Sequence, residues 1–399
     1  MKYPKILGII AVFAMPLAQA DDSDVKWNGY INLVGGMLKD KPVADTTTAK
    51  QYPGYLNYEN RFTAMQDSLF ALQVSKQLDS KLKVTGQLIS KGSQDEFKSS
   101  VNWAYITYDI NDSSSLRFGR LGMPSYYYSD FVDVGLAYHW IKPPIDVYGD
   151  SINFEGINYL RHDTIAKTDL TTEVFYGAFD QTLAGTNGSH VTGQGRDLMG
   201  ASFTVGYSGW LTTRLMYAQS LGITTSDLDF SSQVEAARPI LGNTVVDNAL
   251  TDLHEVLNNS TRYSYYNGTI KADFDNWFVM GEGIIFNGGG ILNVHNRRWY
   301  TSTGYRAGKI LYHLTYSRSE DLVADSTFSN PISGQILTYI EDLSSRNSES
   351  WTLGMRIDTT RSTAVKIEAV KFEEFASRPS ETTGIGKNAL LRVAFNASF

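Results

Sequence analysis

None of the 399 residues is cysteine, which excludes a disulfide framework and a thiolate metal site, while an oxidising compartment stays tolerable. Proline is scarce at 10. Past Ile6–Leu17 no stretch approaches the roughly 20 apolar residues a membrane-spanning helix needs. An excess of basic charge is also missing: the formal net charge is −7, which gives no support for nucleic-acid binding. The six histidines, His139, His162, His190, His254, His295 and His313, show no HExxH or His-x-His spacing, and no Gly-x-Ser-x-Gly elbow occurs. Gly288-Gly289-Gly290 is a loop signal, because a phosphate cradle needs a lysine and a helix behind it. No cofactor, no metal site and no catalytic residue is expected, and the protein is not expected to be an enzyme.

What is present is a charged start (Lys2, Lys5), an apolar run over Ile6–Leu17 and the small-residue pattern Ala18-Gln19-Ala20. This predicts a signal peptide over 1–20, with one domain over 21–399. Removing Lys2 and Lys5 takes the formal charge from −7 to −9. Tyrosine (24), glycine (34) and a 13% aromatic content suit a β-rich chain with many girdle positions.

Period two dominates the rest. In the final segment Ala389, Leu391, Val393, Phe395, Ala397 and Phe399 fall on one face, and Leu390, Arg392, Ala394, Asn396 and Ser398 on the other. One face suits lipid and the other a wet interior. The same alternation predicts sixteen strands, near 25–38, 59–77, 82–91, 99–110, 116–121, 151–160, 170–179, 196–207, 211–220, 261–273, 277–286, 296–305, 310–319, 348–358, 363–375 and 388–399. Short turns rich in Asp, Asn, Ser or Gly alternate with longer connections, the pattern of a transmembrane antiparallel β-barrel with tight turns at one rim and long loops at the other. Apolar rows running from end to end argue against a soluble sandwich.

Two long connections stand out. The third, about 121–150, is crowded with apolar and aromatic side chains, which predicts a loop folded into the barrel mouth. Its proline pair, Pro143-Pro144, and its glycines exclude a continuous strand or long helix. The fifth, about 221–260, holds Val246, Leu250, Leu253 and Leu257 at helical spacing, with Thr244 and Asp247 as a capping box.

The signal ending in Ala18-Gln19-Ala20, the start Trp27-Asn28-Gly29-Tyr30, the hairpin alternation, Arg117-Phe118-Gly119-Arg120 before the third loop and the terminal Phe399 together resemble the Gram-negative trimeric porins of the outer membrane. The resemblance covers nearly the whole chain after residue 20. It implies sixteen strands, a homotrimer, passive diffusion of small hydrophilic solutes and ions, and an inward third loop that narrows the pore. It also implies that Phe399 is a signal to the barrel assembly machinery, with outer-membrane lipid and lipopolysaccharide as surroundings. The third loop departs from the family in lacking a Pro-Glu-Phe-Gly-type core, carrying Tyr126, Tyr127, Tyr128 and Pro143-Pro144 instead.

If that loop enters the lumen, Asp130, Asp133 and Asp146 place negative charge there. By parity Lys83, Arg117, Arg214, Arg356 and Arg392 line the opposite wall, with Arg61 and Arg120 near the loop ends. Opposed charges across a narrow gap make a transverse field that orients dipolar solutes. The alternative is that the aspartates cap turns or pair with wall arginines to hold the loop. Likewise Tyr126 to Tyr128 offer a stacking surface for sugars or pack the loop against the wall. A substrate-specific channel for sugars or anionic nutrients, and a barrel enzyme or adhesin acting through its long loops, are the rival functions.

Overall fold

In the computed structural model the described residues are 25–40, 58–93, 96–148, 152–184, 190–225, 231–258, 262–288, 294–323, 330, 332–334, 347–375 and 386–399. The expected signal over 1–20 lies outside them. Sixteen strands close into one antiparallel barrel, each paired to its sequence neighbours and β1 to β16. They are β1 Val25–Leu38, β2 Leu69–Gln77, β3 Leu82–Gly92, β4 Phe97–Asn111, β5 Ser114–Gly122, β6 Asn153–Ile165, β7 Thr168–Ala184, β8 His190–Tyr207, β9 Leu211–Thr225, β10 Arg262–Phe274, β11 Trp277–Gly288, β12 Val294–Ala307, β13 Ile310–Val323, β14 Asn347–Asp358, β15 Thr363–Phe375 and β16 Gly386–Ser398. Strand number, order and spacing are those the alternation predicts. The main departure is β2, expected from residue 59 but starting at Leu69. Residues 58–68 turn back along β1 through a single bridge, Gly36 to Thr63, with Asp67 in the left-handed region at φ 61°.

Closure explains why period two is so legible. Every strand has one apolar row facing out and one row facing in, and no unpaired edge remains. On β16 the outward Leu391, Val393 and Phe395 are exposed while the inward Leu390, Ala394 and Asn396 are buried. Outward aromatics collect at two levels. Tyr207, Trp210, Phe274, Trp277 and Tyr305 lie near the short turns, with Trp210 stacked on Phe274 at 5.6 Å. Trp299, Tyr316 and Trp351 form a second group, roughly 20 Å further along the strands. Two such belts fit an apolar band bounded by two membrane interfaces.

Between β9 and β10 lie three helices, α1 Ser231–Ala236, α2 Arg238–Leu241 and α3 Asn243–Asn258. The last spans the four positions expected at helical spacing, and Val246, Ala249 and Leu250 pack with Val234 and Ile332. The side chains of Leu253 and Leu257 lie outside the described residues. The expected capping box does not form: the helix starts at Asn243, which puts Thr244 inside it, and Asp247 accepts a 2.8 Å hydrogen bond from Arg238 instead.

Candidate functional site: the chain segment packed on the inner wall

After β5, residues 123–148 form neither strand nor long helix. Two short 3-10 turns, Ser129–Phe131 and Gly135–Ala137, are the regular structure in it. Its side chains and backbone meet the inward rows of β9 to β16. The aromatic residues form a cluster in which Tyr128, Tyr138, Trp140 and Tyr148 are buried with Phe278, Met280, Ile284 and Tyr300 of the wall. Tyr128 stands edge-on to Phe131, Tyr138 and Trp140 at 5.5–5.9 Å. This is packing of loop on wall, the second of the two roles open to the tyrosine run. Tyr126 differs, stacking on Tyr148 at 4.4 Å while also lining a cavity.

An irregular segment cannot satisfy its own backbone, so its buried amides and carbonyls need partners. Charged wall residues supply them. Lys366 on β15 is completely buried and donates from Nζ to the carbonyls of Gly135, Tyr138 and Trp140. Arg356 on β14 donates to the Leu136 and Tyr138 carbonyls at 2.8 and 2.7 Å, and Arg214 on β9 to those of Tyr126 and Pro124 at 2.6 and 2.7 Å. Two acids take the amides. Glu282 on β11 accepts from Tyr127 N at 2.7 Å and from the Tyr148 hydroxyl at 2.6 Å, and Glu368 on β15 accepts from Ile141 N at 2.7 Å. The segment comes so near β16 that a Cβ on Gly135 would overlap the Asn396 amide. A larger residue at 135 would have to displace the buried amides of Asn396 and Asn32.

Asp146 was expected to offer charge to a lumen. It is completely buried, and its two oxygens accept hydrogen bonds from Ser317 at 2.7 Å and from Ser348 and Ser350 at 2.6 Å. Asp133 forms an ion pair with Lys91 at 2.8 Å, and its carbonyl accepts from Asn32. Asp130 is exposed. A third latch comes from the 58–68 connection. Asp67 meets Lys142 at 3.0 Å and Arg392 at 3.5 Å, and accepts from the Tyr58 hydroxyl at 2.9 Å. Burial pushes the Asp67 carboxyl up, but Lys142, Arg392 and that hydroxyl outweigh it and hold the group below the usual carboxylate range.

The basic set divides. Arg214, Arg356 and Arg392 are on the inward face, the first two donating to the segment's carbonyls and Arg392 donating to Glu368 at 2.8 Å. Lys83 and Arg117 are inward too, in a recess of about 250 Å³ near the short turns, where Arg117 lies 5.9 Å from the Tyr105 ring centre. Two placements need correction. Arg120 points outward, because Arg117 and Arg120 have opposite parity on β5, and it pairs with the exposed Glu155 at 3.5 Å. Arg61 is exposed in the 58–68 connection, paired with Glu59. Phe399 sits beside β1, exchanging backbone hydrogen bonds with Gly29 at 2.8 and 2.9 Å, and its exposed ring covers that glycine.

Parity alone does not mark Lys366, Glu282, Glu368 and the serine trio as fasteners. The available signal was a charge completely surrounded by an inward strand row, which demands a partner. Histidine also becomes legible here. His139 Nε2 lies 2.9 Å from the Ser302 hydroxyl, a spacing that would suit a base and a nucleophile. Both residues are buried, and Ser302 also meets Thr315 at 2.7 Å, so the pair joins the packing network.

The closed sixteen-stranded antiparallel barrel has the fold of solved Gram-negative outer-membrane porins. The solved structures it resembles include the outer-membrane channel DcaP of Acinetobacter baumannii, at 11% identity and TM-score 0.58, covering 94% of this chain and 97% of that one. An anion-selective porin from Comamonas acidovorans matches at 13% identity and TM-score 0.54, over 94% and 99%. Salmonella typhi OmpF, solved with daunomycin, matches at 11% and 0.55, over 96% and 99%. At such identities the shared property is the fold. No family model matches the sequence, and no curated protein does.

Proposed function

We propose that this protein is an outer-membrane porin, a water-filled channel through which small hydrophilic solutes and ions diffuse down their gradients. The observation that carries this reading is the segment 123–148, fixed to the inner wall of a closed barrel whose outward rows are apolar. A segment fastened there narrows the lumen without needing to move. The constriction is then bounded by the loop on one side and by the β3–β7 wall on the other. Lys83, Arg117 and the exposed Asp130 are the members of the expected charge set placed to act on a passing solute. Arg214, Arg356, Arg392 and Asp146 act as fasteners.

In the same reading the barrel assembles as a homotrimer, the arrangement named for OmpT of Vibrio cholerae, another barrel of this fold. The 1–20 segment directs export, Phe399 is read by the assembly machinery, and lipid with lipopolysaccharide surrounds the aromatic belts. No chemistry is performed, and no cofactor is used.

Planar-bilayer recording of the purified protein tests this directly. Stepwise insertions in groups of three, with an ohmic current, support the reading. Absence of conductance from folded, heat-modifiable protein overturns it and turns attention to the long loops.

A further inference from the structure

The long-loop half of the barrel holds a cavity of about 320 Å³ between the inner segment and the wall of β7 to β12. Its lining is at odds with a lumen built for water. On β13 and β14 the inward positions Thr315, Ser317, Ser319, Ser348 and Ser350 are hydroxyls. Across the cavity wall the inward positions are Leu198, Ala218, Tyr263, Tyr265, Ile284 and Phe286. The inner segment adds Met123, Tyr126 and Val147. Ring faces are already arranged there: Tyr263 lies parallel to Phe286 at 5.6 Å, and Tyr126 stands edge-on to Tyr265 at 6.3 Å. Its polar lining comes from Ser125 of the inner segment, Gln219 and Ser220 of β9, and the neighbouring inward positions Asn296 and Arg298 of β12. Arg298 is the one charged side chain among the described lining residues.

A flat apolar enclosure with a guanidinium and an amide on one side matches a particular solute chemistry. The rings and aliphatic groups take a planar hydrocarbon body. The guanidinium fork takes a carboxylate, a pairing stronger than that of a neutral donor. The volume lies at the lower end of the range of small-molecule sites, which limits the body to one or two rings. We infer that this cavity is a binding subsite for aromatic carboxylic acids on their way through the barrel. The inference rests on the channel reading for how such an acid reaches the cavity, and it narrows that reading from general diffusion to a preferred solute class.

The test uses the full chain, 2-naphthoate as probe, and 2-naphthamide and acetate as comparators. Binding is read by equilibrium dialysis of the detergent-solubilised protein against a heat-denatured blank, and passage by block of single-channel current. Saturable naphthoate binding and block are expected, with acetate giving neither. Arg298→Gln is expected to weaken naphthoate at least tenfold and to leave naphthamide unchanged, whereas Phe286→Ser weakens both. Should Arg298→Gln fail to fold by heat-modifiable mobility, Asn296→Leu takes its place, with a several-fold loss for naphthoate alone. A conducting protein without saturable binding overturns the subsite and leaves the channel standing. Equal losses for acid and amide in Arg298→Gln also overturn it, since the guanidinium then does not hold a carboxylate. Saturable binding by a protein that never conducts supports the subsite and overturns the channel.

Discussion

Two sectors of the same barrel wall use their inward charges in opposite ways. On β9 to β16, Arg214, Glu282, Arg356, Lys366 and Glu368 are hydrogen-bonded to the backbone of the inner segment. On β3 and β5, Lys83 and Arg117 face a recess near the short turns, with Lys91, further along β3, as the exception that pairs with Asp133 of the segment. Residues of one type and one parity thus serve as fasteners in one sector and line open space in the other. What differs is whether chain fills the space in front of them. A charge in contact with buried carbonyls orders a loop, and a charge facing water sets a field for ions.

Removing fasteners should therefore act mainly on stability and current noise, and removing lining charges mainly on selectivity. The largest effect belongs to Lys366→Met, which leaves the buried carbonyls of Gly135 and Trp140 unmet, while that of Tyr138 keeps Arg356 and Glu368 keeps Arg392. A loss of about 3–5 kcal/mol is expected, the range for breaking a buried charged arrangement. It should be read as a lower temperature of heat-modifiable migration and a noisy, enlarged conductance. A quiet, unchanged channel would show that the loop is held elsewhere.

Asp146→Asn comes next. The amide keeps the shape but replaces one accepting oxygen with a donor, so the hydroxyls of Ser317, Ser348 and Ser350 compete for one acceptor. About 1–3 kcal/mol should be lost in the same assay, with reversal potential unmoved. A large shift in selectivity would return Asp146 to the filter.

The Asp67 latch is titratable. Its carboxyl is held below its ordinary value, so its contribution is complete above the unfolded aspartate value of about 3.9 and is lost as pH falls through the lower folded value. Stability of the wild type should fall more steeply than that of Asp67→Asn as pH drops below the unfolded aspartate value of about 3.9, because the variant has already lost the latch. Parallel curves would remove Asp67 from the acid response.

The smallest structural effect, and the clearest electrical one, is expected from Arg117→Gln. Reversal potential under a salt gradient should move toward cations by several millivolts, with stability changed by no more than about 0.5 kcal/mol. Arg120→Gln, three residues on and outward-facing, should leave the potential where it is. If the two variants behave alike, parity on β5 does not separate lumen from exterior.

Much of this was legible in the sequence for a simple reason. A closed barrel in a membrane forces every strand into strict two-residue alternation, so β16 could be read residue by residue from Ala389 to Phe399. The loop's aromatic load, Tyr126 to Trp140, likewise signalled burial. The missing part was depth, because alternation gives a side and not a distance. It could not tell that Asp146 reaches three serines from β13 and β14, residues 171 to 204 positions away in the chain. Arg120 was misplaced for a different reason, since nearness to the loop end was allowed to outweigh parity.

The central claim is that the conducting channel carries its inner segment fastened to the β13–β14 wall. The chain has no cysteine of its own, so Asp146→Cys combined with Ser348→Cys or Ser350→Cys gives one defined tether. Single-channel recording under reducing and then oxidising conditions should show a noisy, loosened channel that returns to the wild-type conductance once the disulfide forms. Loss of current on oxidation would contradict the account, because it would mean that the open channel requires the segment to leave that wall.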